Sequence, residues 1–178
     1  MPGHRAVFLD RDGVINQAIV RGGKPYPPSS VDELVIAPDA LTALQVLKQA
    51  GFLLLVVTNQ PDIARGKQTL AAIEALHQAL QKDLPIDDFF LCPHDDSDDC
   101  DCRKPRPGLL IRGAGKYDVD LSRSFMIGDR WRDIEAGAQA GCATVWLDLG
   151  YLEKRSSVKP SVTVTSLRAA VDWIQKQA

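Results

Sequence analysis

Short, nearly unbroken apolar runs alternate along this chain with longer stretches in which apolar side chains recur every three or four positions. The runs at 6–9 (AVFL), 52–57 (FLLLVV), 124–127 (SFMI) and 143–147 (ATVWL) predict strands, and the unbroken FLLLVV run predicts one covered on both faces. Residues 88–91 predict a further short strand and 162–164 an edge strand. Pro38-Asp39 opens a helix with Leu41, Leu44, Val46 and Leu47 largely on one face and Gly51 as its stop. Residues 69–84 place Leu70, Ile73, Leu76, His77 and Leu80 at helical spacing, with His77 as a half-buried structural residue. Helices are also predicted at 107–116, 131–140 and 166–177, the last with Leu167, Val171 and Ile174 inward.

Strand–helix alternation of this kind predicts an α/β, Rossmann-like fold: a central, mostly parallel sheet with helices on both faces. The length, 178 residues, suits a single domain over 1–178. Ligands of such sheets collect beyond the carboxyl ends of the strands, and Asp10, Thr58 and Asp129 each stand just after a predicted strand. Segment 13–30, rich in Gly, Pro and Ser, is too short for a large cap domain and predicts a flap over those strand ends; 150–178 predicts a closing segment.

Charge narrows the partners. A formal net charge of −2 and a pI near 5.9 give no bulk attraction to nucleic acid or an anionic membrane. No basic stripe with interleaved aromatics is visible either. The opening residues MPGHR lead into a strand too short for a signal sequence or a membrane span, so the expected location is cytoplasmic, with His4 in a frayed terminus. A monomer acting on a small molecule is the default expectation.

In that setting clustered cysteines point to metal before disulfides. Cys92, His94, Cys100 and Cys102 offer three thiolates and an imidazole within loop 92–102, the donor set of a structural Zn²⁺ site with no open position for water. Asp95, Asp96, Asp98 and Asp99 belong to its solvated face, because thiolates outcompete carboxylates for zinc. The lone Cys142 is expected as a small buried hydrophobe. The loop runs directly into Arg103 and Lys104, and a rigid clamp there would aim both cations over the strand ends.

The strand-end residues are ambiguous one at a time. Asp10 and Asp12 flank Arg11 and would point to one side, yet Asp-Arg-Asp-Gly is also an ordinary turn. Asp129 could be a helix cap and Asp133 a solvated residue one turn on. Thr58, Asn59 and Gln60, a hydroxyl and backbone N–H groups before a helix, could hold phosphate oxygens. In combination they form a phosphoryl-transfer set. LDRDGV, VTNQ, the lysine of RKP and IGDRWRDI resemble, in that order, the four motifs of the haloacid-dehalogenase superfamily of aspartyl-phosphate phosphatases. The C-x-H…C-x-C loop before RKP is similar to that of the superfamily branch acting on heptose 1,7-bisphosphate and histidinol phosphate. IARG at 63–66 favours the heptose side, while Pro61-Asp62 departs from the Ser-Gly expected there.

The resemblance implies the haloacid-dehalogenase fold and a set of roles. Asp10 would be the nucleophile and Asp12 the general acid and base. Thr58 and Lys104 would hold the transferring group. Asp10, the Asp12 backbone carbonyl and Asp129 would bind Mg²⁺, and Asp133 would orient Lys104 or a metal-bound water. Arg103, with Arg65, Arg130, Asn59 and Gln60, is assigned to the substrate. The implied reaction is Mg²⁺-dependent hydrolysis of a sugar-phosphate monoester, a heptose 1,7-bisphosphate at C7, with histidinol phosphate as the alternative. A catalytically inactive zinc-loop interaction module is the alternative of another class; the full set of polar residues counts against it.

Overall fold

The structure, a computed structural model, describes residues 3–177. Six parallel strands form the central sheet: β1 (Ala6–Leu9), β4 (Leu53–Asn59), β5 (Asp88–Cys92), β6 (Phe125–Gly128), β7 (Ala143–Leu147) and β8 (Val162–Val164). Their order is β5-β4-β1-β6-β7-β8. Strands β2 (Ile19–Arg21) and β3 (Lys24–Tyr26) make a separate antiparallel hairpin inside the 13–30 segment. The helices are α1 (Ala40–Gln49), α2 (Leu70–Asp83), α3 (Gly108–Tyr117), α4 (Trp131–Ala140) and α5 (Leu167–Gln177). None is long and apolar enough to cross a membrane, among the described residues.

Both sheet faces are covered, which explains the unbroken apolar strands. Val7 and Leu9 face Leu44, Leu47, Val171 and Ile174 of α1 and α5; Ala6 and Phe8 face Leu109, Leu110 and Ala136 of α3 and α4. Parallel neighbours need crossovers; α1 to α4 supply them from β1 through β7, while an irregular segment at 148–161 joins β7 to β8.

Two expected helix positions differ. Leu41 is 43% exposed and Leu70 is 49% exposed. The inward stripe of α1 is Ala40, Ala43, Leu44 and Leu47, one residue round from Leu41, and the two alanines let the helix lie close on the sheet. Leu70 sits in the first turn of α2, ahead of the buried Ile73, Leu76 and Leu80. His4 is tied rather than frayed: its N–H donates to Asp118 O and its carbonyl accepts from Asp120 N, both at 2.8 Å.

Candidate active site

The strand order puts β4, β1 and β6 side by side in the middle of the sheet, so the residues that follow them converge. Asp10 continues β1, and its N–H still donates to Ile127 O of β6 at 3.0 Å. Thr58 is the next-to-last residue of β4, and Asp129 follows β6 directly.

Lys104 arrives from the loop before α3 and is 2% exposed. Its Nζ donates to Asp10 Oδ1 at 2.9 Å, Asp133 Oδ1 at 2.7 Å and Val57 O at 2.7 Å, which uses all three ammonium hydrogens. Burial pulls the Lys104 pKa down, but Asp10 and Asp133 more than offset it and hold the amine protonated. Asn59 fixes the backbone beneath: its Nδ2 donates to Lys104 O and its Oδ1 accepts from Lys104 N, both at 3.0 Å.

Three buried carboxylates, Asp10, Asp129 and Asp133, face this one ammonium, and an oxygen of each lies within 4.8 Å of the others. Burial and the charge of Asp133 push the Asp10 pKa up, against the pull of Lys104. Burial, Asp10 and Asp133 push Asp129 well above the carboxylate range. Asp133 has both oxygens engaged, one by Lys104 and the other by Arg130 N at 3.0 Å. Asp129 is the opposite case: neither of its buried oxygens has a well-formed hydrogen bond among the described residues, with only the Tyr151 hydroxyl standing near. Gly13, at φ +90°, lets it sit there, since a Cβ on Gly13 would lie 1.9 Å from Asp129 Oδ2. Hard oxygen donors, two of them orphaned, surrounding uncompensated charge fit a small divalent cation.

Asp12 points into a different set of donors. Arg11 Nε and Nη2 reach its two oxygens at 3.1 Å each, Asn16 Nδ2 reaches Oδ1 at 3.0 Å, and Gln60 Nε2 reaches Oδ2 at 2.8 Å. Arg11 is wholly buried, and its Nη1 meets His77 Nε2 at 3.3 Å. His77 in turn stacks on Phe89 with ring centroids 4.3 Å apart.

In the cysteine loop, Cys92 Sγ lies 3.0 Å from Cys102 Sγ and 3.6 Å from Cys100 Sγ, and His94 Nδ1 lies 3.3 Å from Cys102 Sγ. A tetrahedral ion with metal–sulfur legs of about 2.3 Å sets ligand spacings of roughly 3.5–3.8 Å, so the four donors fit a soft tetrahedral metal with little movement. Burial pushes the Cys100 thiol up, but the Arg103 backbone N–H and the two neighbouring thiols bring it down to about 7.

The three arginines assigned to substrate are all paired within the protein. Arg65 grips Asp95 of the loop at 2.6 and 2.8 Å. Arg103 donates to Asp96 at 2.8 Å, beside a cleft of about 120 Å³ that it lines with Arg106 and Arg132. Arg130 holds Glu153 through two hydrogen bonds. Sequence reasoning missed Arg11, Asn16, Glu153 and Tyr151, whose hydroxyl crowds the same space above Gly13 as Asp129. Of these, only Arg11 and Asn16, close to LDRDGV in sequence, could have been found from the motif.

Comparison with known proteins agrees with this geometry. Residues 28–141 match the family model of haloacid dehalogenase-like hydrolases. The D-glycero-beta-D-manno-heptose-1,7-bisphosphate 7-phosphatase of Bordetella bronchiseptica is 40% identical over 151 residues, 80% of this chain and 79% of that protein. Its namesake in Pseudomonas aeruginosa is 38% identical over 149 residues, 81% of each. The crystal structure of D,D-heptose 1,7-bisphosphate phosphatase from B. bronchiseptica, complexed with magnesium and phosphate, is similar to this one with a TM-score of 0.83 at 34% identity, over 98% of this chain and 99% of that one. Motif order, strand-end carboxylates and relatives lead to one assignment: the chain belongs to the haloacid dehalogenase-like hydrolase family.

Proposed function

We propose that this phosphatase removes the C7 phosphate of D-glycero-β-D-manno-heptose 1,7-bisphosphate through an aspartyl-phosphate on Asp10. The observation that carries the chemistry is the Asp10 carboxylate gripped by the fully engaged Lys104 beside the orphaned Asp129 oxygens. The substrate rests on the names of relatives that align over about four-fifths of the chain.

Asp10 attacks phosphorus in line, and the phosphorus–oxygen bond to the sugar breaks. Asp12 gives its proton to the departing sugar oxygen and later takes one from the water that cleaves the aspartyl-phosphate. In the described geometry both Asp12 oxygens accept, so it releases at least one donor when it takes up the acid role. Thr58 donates to a phosphoryl oxygen, and Lys104 keeps Asp10 aligned and screens it from an anionic substrate. Asp10, the Asp12 carbonyl and Asp129 would hold Mg²⁺, which would supply positive charge to the phosphoryl oxygens. Asp133 orients Lys104. Cys92, His94, Cys100 and Cys102 would hold a structural Zn²⁺ that would fix the direction in which Arg103 and Lys104 leave the loop. Arg103 is the residue for the second phosphate, which a guanidinium matches in bidentate fashion.

Phosphate release with Mg²⁺ from both heptose bisphosphate anomers and from histidinol phosphate tests this, with Asp10→Asn as the blank. The expected result is a preference of about 100-fold or more in kcat/KM for the β anomer. Turnover of histidinol phosphate alone would sink the substrate assignment. Asp10→Asn is expected to fall below about one-thousandth of wild-type kcat with an unchanged unfolding midpoint.

A further inference from the structure

The amide of Gln60 is 2% exposed, and its one nitrogen serves two acceptors, Asp12 Oδ2 at 2.8 Å and Thr58 Oγ1 at 2.9 Å. A carboxylate only accepts, so the nitrogen and not the oxygen of the amide must face Asp12. Both amide hydrogens are then spent. Thr58 Oγ1 receives the second, which turns the hydroxyl's own hydrogen away from Gln60. Among the described residues no acceptor takes that hydrogen, although Thr58 is only 1% exposed. A buried hydroxyl left with an unspent hydrogen, at the end of the strand beside the one carrying Asp10, needs an oxygen from outside the protein.

The surroundings keep the amide in place. Gln60 N–H donates to Cys92 O at 2.8 Å, anchoring the backbone to the first residue of the cysteine loop. On its far side Asp12 is gripped by Arg11 and Asn16 at 3.0–3.1 Å, and Arg11 is backed by His77. The amide therefore stands between two fixed partners.

We infer that Gln60 is a positioning residue that sets the direction of the Thr58 hydroxyl hydrogen and the orientation of the Asp12 carboxylate together. It couples the group that holds the phosphoryl oxygen to the group that moves the proton. This rests on the roles proposed above for Thr58 and Asp12. It differs from the expectation that Gln60 binds substrate, since both hydrogens of its amide are engaged within the protein.

Steady-state kinetics with Mg²⁺ on the heptose bisphosphate and on p-nitrophenyl phosphate test it, comparing wild type, Gln60→Glu, Gln60→Met, Thr58→Val and the Thr58→Val/Gln60→Met double variant. Both Gln60 variants are expected to lose about 30–100-fold in kcat with KM within about threefold, the loss that misplaced reacting groups bring. Gln60→Glu copies the shape of glutamine yet sets a second carboxylate against Asp12, so it should rescue nothing relative to Gln60→Met; wild-type-like kcat in Gln60→Glu would overturn the proposal. The double variant should lose less than the product of the single losses, since both changes cut one link. Strictly multiplicative losses would remove the coupling, and a raised KM at near-normal kcat would make Gln60 a substrate contact. Thermal midpoints of Gln60→Glu and Gln60→Met separate these results from misfolding, and one folded variant is enough to decide. If wild type turns over p-nitrophenyl phosphate but no heptose bisphosphate, the substrate assignment fails while the kcat and KM comparison on the aryl ester still decides the role of Gln60.

Discussion

His77 shows how a residue outside every motif can be tied to the site. Burial, and then the neighbouring Arg11 charge, pushes its pKa from the ordinary 6.5 to about 4, with Asp12 only partly opposing. The unfolded chain therefore binds this proton more readily between those values, and the native state loses stability as pH falls from about 6.5 towards 4. The loss is bounded at ~3 kcal/mol by the size of the shift. Replacing His77 by Gln should flatten that part of the profile; thermal unfolding of both proteins at about pH 7 and pH 5 measures it, and an equal acid sensitivity would refute the assignment. Legibility in the sequence was uneven at this scale. Asp10, Thr58, Lys104 and Asp129 stood out because motif order is preserved along the chain. His77 looked like a core position, since a contact made 66 residues away with Arg11 leaves no local pattern. The same holds for Arg130, assigned to substrate yet paired with Glu153 from a segment with weak periodicity.

Elements were easier to read than contacts. Helix α4 and strands β7 and β8 fall where the apolar pattern puts them, and β7, buried over four of its five residues, leaves the clearest signal of the three. The stripe of α1 was rotated by one residue because alanines carry little hydrophobic signal yet decide which side approaches the sheet. Two predictions belong to loops. Gly13→Ala puts a methyl group against Asp129 at a positive φ, and should raise the Mg²⁺ concentration for half-maximal activity about tenfold or more. A Mg²⁺ titration of activity with an unchanged requirement would show that Asp129 does not hold the cation. Stripping metal from the cysteine loop, with Mg²⁺ restored afterwards, should lower the unfolding midpoint by on the order of 5–10 °C, the shift that ~2–3 kcal/mol produces in a chain of this size. Activity should fall with it, because Lys104 leaves the loop only two residues after Cys102. Full activity in zinc-free protein would break that link.

For the whole molecule, the strand order matters more than any single contact. The first strand is the central one, and it pairs with β4 and β6, whose partners of Val7 are Leu54 and Phe125. A fragment of residues 1–123 would lack β6 through β8 and leave Asp10 N–H without Ile127 O. It should be protease-sensitive and without cooperative unfolding; a protected, cooperatively melting fragment would contradict this. The parallel sheet itself was legible from strand–helix alternation, whereas the position of β1 at its centre was not, since the apolar pattern carries no record of which strand neighbours which. That arrangement has a consequence for synthesis. After a ribosome has made the nucleophile's strand, about 120 residues must follow before its second neighbour exists, and long-range pairing of this kind is slow. Until β6 exists, Asp10 lacks the Ile127 carbonyl that holds its N–H, and Asp129 and Asp133 are missing from the site. A chain cut short before β6 would therefore carry the nucleophile without the carboxylates that complete its site, and should show no phosphatase activity.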